Sequence, residues 1–281
     1  MTAAAEVVAS SLVVDVSHVT LRFGGVVSLD DVSLQQHGGE ILSVIGPNGA
    51  GKTSLFNCLT GVYTPQEGQI TFTAADGRSH RLNGGKPHDI TQLGVARTFQ
   101  NIRLFNALTA FENVKIGVEA HQTTGPIGAM LRLPHTRREE RDGDARTLEL
   151  LDFVGLRSRA NELSASLPYG GQRRLEIARA LGTGPQLLLL DEPAAGTTGS
   201  EKVELGQLIR RINAEMGVSV LLIEHDMRLV MSVTDRVVVL NFGKVIAAGA
   251  PTDVQRDPAV VEAYLGAPAD TDGGGGDAAS R

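Results

Sequence analysis

The chain has little of what marks secreted, membrane-embedded or nucleic-acid-binding proteins. Cys58 is its single cysteine, so no internal disulfide can form, in keeping with a reducing compartment. We read Cys58 as core filler on a helix, because free cysteines are mostly buried. No apolar run approaches the roughly 20 residues of a membrane helix. The N-terminus has neither the basic start nor the long apolar segment of a signal peptide. Read alone, the chain is expected to be soluble, and any membrane role has to come through partner chains. Positive charge is also lacking: 26 Lys plus Arg stand against 32 Asp plus Glu, a formal charge of -6. That is the wrong sign for a general nucleic-acid binder. No internal repeat occurs, so 281 residues are read as one large module rather than a tandem pair.

What is present begins with GPNGAGKT at Gly46–Thr53. It follows the apolar run Ile41–Ile45 and precedes a helix-like stretch, Ser54–Leu59, the strand–loop–helix context that a P-loop needs. Gly46, Gly49 and Gly51 allow positive φ and close approach of backbone N–H groups to phosphate oxygens. Pro47, Asn48, Ala50 and Ser54 complete the cradle, and the following helix turns its positive end toward the same oxygens. Lys52 is expected to reach the β- and γ-phosphates and Thr53 to bind magnesium through its hydroxyl.

LLLLDEP at Leu187–Pro193 reads as a strand buried on both faces, which a parallel central strand requires. It ends in two carboxylates. Asp191 is expected to hold magnesium through water beside the P-loop, and Glu192 to polarise an attacking water.

The rest of the chain alternates in α/β order. Val13–Phe23 and Val27–Gln36 read as antiparallel strands leading into Ile41–Ile45. Gly68–Ala74 reads as a further strand and Gly77–Gly85 as a polar turn. Leu108–Val118 and Arg138–Val154 have helical periodicity. Val218–Ile223 and Arg236–Leu240 read as buried strands separated by a helix after His225, and Pro258–Leu265 as a terminal helix. Residues 1–11 are expected to be flexible. The tail 267–281, with its four-glycine run, cannot bury enough apolar surface to fold.

Between the two nucleotide motifs lies LPYGGQRRLEIARAL, Leu167–Leu181, which resembles the signature segment and following helix of ABC-type ATPases. Other landmarks of that family follow in order: Phe23, matching the aromatic that stacks on adenine; Gln100 in ARTFQNIRLF, matching the Q-loop glutamine; His225 in LLIEHDM, matching the switch histidine. The resemblance covers residues 12 to about 265. It implies a single P-loop NTPase domain of ABC type over 12–266: a mixed central sheet, an antiparallel β subdomain, and a helical signature subdomain at about 101–184. It also implies ATP and Mg2+ as ligands. Gln100 and Asp191 would join Thr53 at the metal, and Glu192, His225, Gln100 and Lys52 would carry hydrolysis.

RTFQNIRLF, YGGQRRLEIARAL, DEPAAG, LLIEHDM and the closing DPAVVEAYLG together resemble the ATPase subunits of bacterial branched-chain amino acid importers. Within the paired ATPases of those systems, the chain is similar to the member with the longer helical insertion, here His121–Arg141. Its arginines are interrupted by Glu139 and Glu140 and are read as a solvated face rather than a lipid or permease contact. The resemblance implies two membrane permeases, a second ATPase subunit, an indirectly associated substrate-binding protein, and a place on the cytoplasmic face of the membrane. Importers of urea or short amides, and exporters of lipid or lipopolysaccharide, have similar ATPases. From other classes, a non-hydrolysing regulatory subunit is opposed by the intact Glu192 and His225. A DNA-repair ATPase would need a coiled-coil insertion or a basic face.

The chain departs from the family in its signature. The general pattern reads LSGGQ, whereas the five positions here are Leu167, Pro168, Tyr169, Gly170 and Gly171, lacking the serine hydroxyl and the glutamine amide. Thr198 stands where the next loop usually has aspartate or asparagine. The expectation is asymmetry: normal turnover where this chain supplies the P-loop, slower turnover where it supplies the signature.

Overall fold

The computed structural model describes residues 12–120 and 134–265, so the N-terminal segment, most of the His121–Arg141 insertion and the glycine-rich tail lie outside the described residues. Two sheets organise the chain. The first is antiparallel, in the order β2-β1-β4-β5: β1 is Leu12–Phe23, β2 Val26–His37, β4 Glu67–Thr73 and β5 Ser79–Arg81. The second runs in the order β10-β9-β3-β8-β7-β6. It joins β3 (Ile41–Ile45), β6 (Val95–Arg97), β7 (Leu187–Asp191), β8 (Ser219–Ile223) and β9 (Arg236–Asn241) in parallel, with β10 (Lys244–Gly249) antiparallel at one edge.

The four leucines of β7 show why the second sheet is central. Successive strand residues face opposite sides, and here both sides meet a core. Leu188 and Leu190 pack with Leu205, Ile209 and Ile212 of the helix Gly199–Met216 and with Leu175 and Leu181 of the helix Tyr169–Gly182. Leu187 and Leu189 pack with Leu55, Phe56 and Leu59 of the helix Lys52–Leu59 and with the antiparallel sheet. A strand serving two cores needs an unbroken apolar run. A third, smaller cluster of Ile45, Val230, Val239, Val254 and Val260 attaches the C-terminal helix Pro258–Leu265 to the sheet.

Several elements differ from the sequence reading. Gly77–Gly85 is not simply a polar turn: Ser79–Arg81 pairs with β4 through its backbone while its side chains stay largely exposed, so no apolar alternation announces it. β6 spans only Val95–Arg97, too short for any periodicity. β10 is an edge strand with no clear inside and outside. The helix Gly199–Met216 was not read from the sequence, although Thr198 and Glu201 form a capping box at its start: Thr198 Oγ1 accepts from the Glu201 N–H, and the Glu201 carboxylate accepts from the Thr198 N–H at 2.8 Å. Threonine therefore does at this position what aspartate or asparagine would do, namely cap a helix.

β8 stands between β3 and β7 in the sheet. The strand of Asp191 is thus one removed from the P-loop strand, although its carboxylate still acts on Lys52 of the P-loop, and the residues after β8, Glu224 and His225, follow the strand that lies between them.

Candidate active site

The P-loop leaves β3 at Gly46 and enters the helix Lys52–Leu59. Two of its glycines are required by the chain itself. Gly46 has φ 148°, and a Cβ there would lie 2.0 Å from the carbonyl oxygen of Leu240; at Gly51, φ 104°, it would lie 2.6 Å from that of Ser28. The Ala50 N–H donates to Pro47 O, and the Gly243 N–H to Ala50 O, so the β9–β10 turn braces the loop. Lys52 Nζ donates to the carbonyls of Gly46 (2.7 Å) and Pro47 (2.9 Å). Burial pulls its ammonium below the ordinary lysine range, while the carboxylates of Glu192 and Asp191 act in the opposite direction. Ser54 shares a 2.7 Å hydroxyl contact with Ser28.

Glu192 takes φ 44°, a conformation unusual for a residue with a side chain, and its N–H donates to Ile223 O at 2.9 Å. Its Oε2 accepts from Gln100 Nε2 at 2.9 Å and lies 3.9 Å from His225 Nδ1. Residues far apart in sequence, Gln100, Glu192 and His225, are thereby gathered at the ends of β7 and β8. Asp191 is held by Arg97, whose Nη2 donates to Oδ2 at 2.8 Å; both side chains are largely buried. Arg97 Nη1 also donates to Asn57 of the P-loop helix at 2.7 Å. Arg97 was not anticipated from sequence, although it is the only charged residue in its short strand.

Glu224 was missed as well. It is fully buried; Oε1 accepts from the Ala194 N–H (3.0 Å) and Oε2 from the His225 N–H (2.8 Å), tying the loop after β7 to the loop after β8. Burial pushes its carboxyl above the usual range, against the opposing pull of those N–H groups. A carboxylate directly after the apolar run Val220–Ile223 of a fully buried strand was the available signal. Phe23 is 45 % exposed and packs edge-on against Tyr63, ring centroids 5.0 Å apart. Tyr63, which carried no pattern in the sequence, therefore supports the face expected to take adenine. Cys58 is buried and its thiol is pushed up to about 12 by burial, as a core residue and not a redox group.

The signature turn is organised differently. Leu167 is buried, Pro168 precedes the helix Tyr169–Gly182 without any side-chain cap, and Tyr169 is 42 % exposed. Gly170 is packed against Glu201, where a Cβ would meet Oε1 at 2.4 Å; at Gly171 the nearest atom to a Cβ would be 3.5 Å away. Gln172 Nε2 donates to Leu167 O at 2.9 Å, folding back on the turn.

A phosphate loop, a carboxylate pair at a strand end and a histidine after the adjacent strand, with a signature helix alongside, define a P-loop ATPase of the ABC class. The ABC transporter family model matches residues 29–195, and the model for branched-chain amino acid ATP-binding cassette transporters matches residues 244–270. The chain belongs to the ABC transporter family of ATP-hydrolysing cassettes. It is 44 % identical over 254 residues to the high-affinity branched-chain amino acid transport ATP-binding protein BraF of Pseudomonas aeruginosa, covering 90 % of this chain and 98 % of BraF. It is 42 % identical to the corresponding protein LivG of Escherichia coli, covering 92 % and 99 % of the two chains. Among solved structures, the ADP conformation of the cassette MJ1267 superposes with TM-score 0.78 at 28 % identity, over 92 % of this chain and all of that one. The dimeric post-hydrolysis state of the cassette MJ0796, bound to ADP and Pi, superposes with TM-score 0.69 at 26 % identity, over 85 % and 98 %.

Proposed function

We propose that this chain is the ATP-hydrolysing subunit of an importer for branched-chain or other hydrophobic amino acids. The convergence of Gln100, Glu192 and His225 beside the P-loop carries the catalytic part of that reading. The identities to BraF and LivG over nearly full length support the cargo class.

The adenine of ATP stacks on Phe23 and its phosphates lie in Gly46–Thr53, where backbone N–H groups and the Lys52 ammonium offset their charge. Glu192 takes the proton of the attacking water as general base, a contribution typically of about 10²–10⁴ in rate. Gln100, hydrogen-bonded to Glu192, orients that carboxylate, and His225 faces the γ-phosphate. Mg2+ fits the donor set: the Thr53 hydroxyl, the Asp191 carboxylate and the Gln100 amide oxygen are hard oxygens. Few protein ligands plus substrate phosphates is how this ion is ordinarily held. When bound, it would neutralise charge on the phosphates.

Half of the closed site comes from the signature turn of a second ATPase subunit, and the functional pair is read as a heterodimer, with a homodimer as the alternative. The similar cassette MJ0796 is a dimer in its post-hydrolysis state. A groove of about 620 Å³, lined by Phe99, Arg103, Leu104, Phe105, Ile116 and Arg179, opens beside the Gln100 segment. We assign it to a permease loop, because it is continuous with the residues that touch the base. Among the described residues no helix is long and apolar enough to cross a membrane, so attachment to the cytoplasmic face runs through the two permeases. The substrate-binding protein is reached only through them.

Glu192→Gln keeps size and hydrogen bonding but removes basicity. In the assembled transporter it binds ATP with near-native affinity while phosphate release falls by roughly two orders of magnitude or more. A near-native rate of phosphate release from that variant would show that Glu192 is not the base.

A further inference from the structure

Residues 98–103 belong to no helix or strand, so their backbone groups must find partners elsewhere. Two side chains of the signature helix provide them. Arg173 Nη1 donates to Phe99 O and Nη2 to Gln100 O, both at 2.7 Å. Glu176 Oε1 accepts from the N–H groups of Phe99 (3.4 Å) and Arg103 (3.2 Å). Arg173 Nη1 also donates to Glu176 Oε2 at 2.8 Å, and each side chain is only 1 % exposed.

Stability is a weak reason to bury such a pair. Well-packed apolar replacements of a buried ion pair are often neutral or stabilising. Burial pushes the Glu176 carboxyl up even with Arg173 alongside, and Arg173 Nε is left without a hydrogen-bond partner. What the pair achieves is geometric: it holds both the N–H and the C=O of Phe99, and the carbonyl of Gln100, at fixed positions relative to the signature helix. Arg173 Nη2 also lies 3.3 Å from the hydroxyl of Tyr169, the exposed third residue of the signature. At the other end, the Gln100 side chain donates to Glu192. The connection is therefore unbroken from Tyr169 through Arg173 and Gln100 to Glu192.

We propose that Arg173 and Glu176 are positioning residues that join the signature turn to the Gln100 segment. Engagement of this chain's signature by a partner's nucleotide then sets the orientation of its own base. The inference rests on the reading of Glu192 as base and adds a route between the two composite ATP sites within one chain. The helix Tyr169–Gly182 moves as a unit, so a shift at Tyr169 is carried one turn on to Arg173 and from there to the backbone of Phe99 and Gln100. Lysine cannot replace arginine here, because the three donors of one ammonium cannot serve two carbonyls, a carboxylate and a hydroxyl at once.

The test uses the assembled transporter containing both ATPase subunits and the permeases, with steady-state ATPase kinetics. Arg173→Lys is expected to lower kcat roughly tenfold, as a modest misplacement of a catalytic group does, with KM for ATP within about twofold. Tyr169→Phe, an exposed change that leaves folding intact, is expected to lower kcat by about threefold in the native background and to have no further effect when combined with Arg173→Lys, because coupled residues are non-additive. A kcat for Arg173→Lys within about twofold of native overturns the proposal, as does a loss confined to KM, or effects of the two changes that multiply. Should Arg173→Lys fail to fold, Tyr169→Phe decides alone, and a native kcat for it overturns the proposal. Glu192→Gln, measured beside them, separates the two readings: retained turnover there refutes the base itself, whatever Arg173 does.

Discussion

The P-loop and the signature turn both end on glycines at the start of a helix, yet only one of them is dictated by this chain. At Gly46 and Gly51 a Cβ would strike a backbone carbonyl of the same molecule, and both positions have positive φ. At Gly171 the backbone is helical and a Cβ would make only ordinary contacts. Gly170 lies between the two cases, closed off by the movable carboxylate of Glu201. The P-loop is thus shaped from inside, by backbone carbonyls of the same molecule, whereas the outer position of the signature is not constrained by this chain's own packing. Departure from the family pattern falls on the side where the chain's own packing does not forbid it.

The sharpest way to break this comparison is to place the same side chain at both glycines. Gly46→Ala is expected to cost roughly 3 kcal/mol or more of stability, through backbone strain and the clash with Leu240, and to abolish nucleotide binding. Gly171→Ala is expected to be neutral or to stabilise by up to about 1 kcal/mol through helix propensity. Thermal unfolding of the two variants distinguishes them, and equal destabilisation would erase the contrast.

Next in size is Lys52→Ala. Charge-assisted phosphate contacts are worth about 1.5–3 kcal/mol, so nucleotide affinity is expected to drop by roughly one to two orders of magnitude. The isolated chain suffices for that titration, because the P-loop is complete within it. An unchanged affinity would mean that the backbone N–H groups alone hold the phosphates.

A smaller effect is expected at the signature itself. Pro168→Ser with Gly171→Gln restores the hydroxyl and amide of the general pattern, and ATPase activity of the assembled transporter is expected to rise a few-fold, within the roughly 1.5–3 kcal/mol of a hydrogen bond to a charged group less what water already supplies. No change in turnover or in ATP-driven closure would show that the helix N-terminus provides the contact by itself. Smallest is Thr198. Replacement by asparagine, another good cap, is expected to leave the melting temperature within about 1 °C, whereas alanine lowers it measurably.

Much of the candidate site was legible because its residues are consecutive. The P-loop, Asp191 with Glu192, and the strand before His225 are runs in which local pattern and local chemistry coincide. The elements that escaped have no such run. Val95–Arg97 is three residues long, and its charged end finds its meaning only across the sheet, at Asp191. His225 was readable and Glu224 beside it was not, and the insertion of β8 between β3 and β7 determines what they stand between. Tyr63 meets Phe23 only because the chain after the P-loop helix returns to β1.

By itself, the sequence determined the P-loop and the doubly buried strands, since each follows from periodicity or glycine conformation within a few neighbouring residues. Only the tertiary structure decided that Arg173 and Glu176 hold the backbone of Phe99 and Gln100, that Gln100 meets Glu192, and that Arg97 orients Asp191. Those contacts join residues 73 to 94 positions apart, and a charged side chain shows nothing in sequence of which distant carbonyl or carboxylate will accept it. Burial makes the pairing obligatory, and the fold selects the partner.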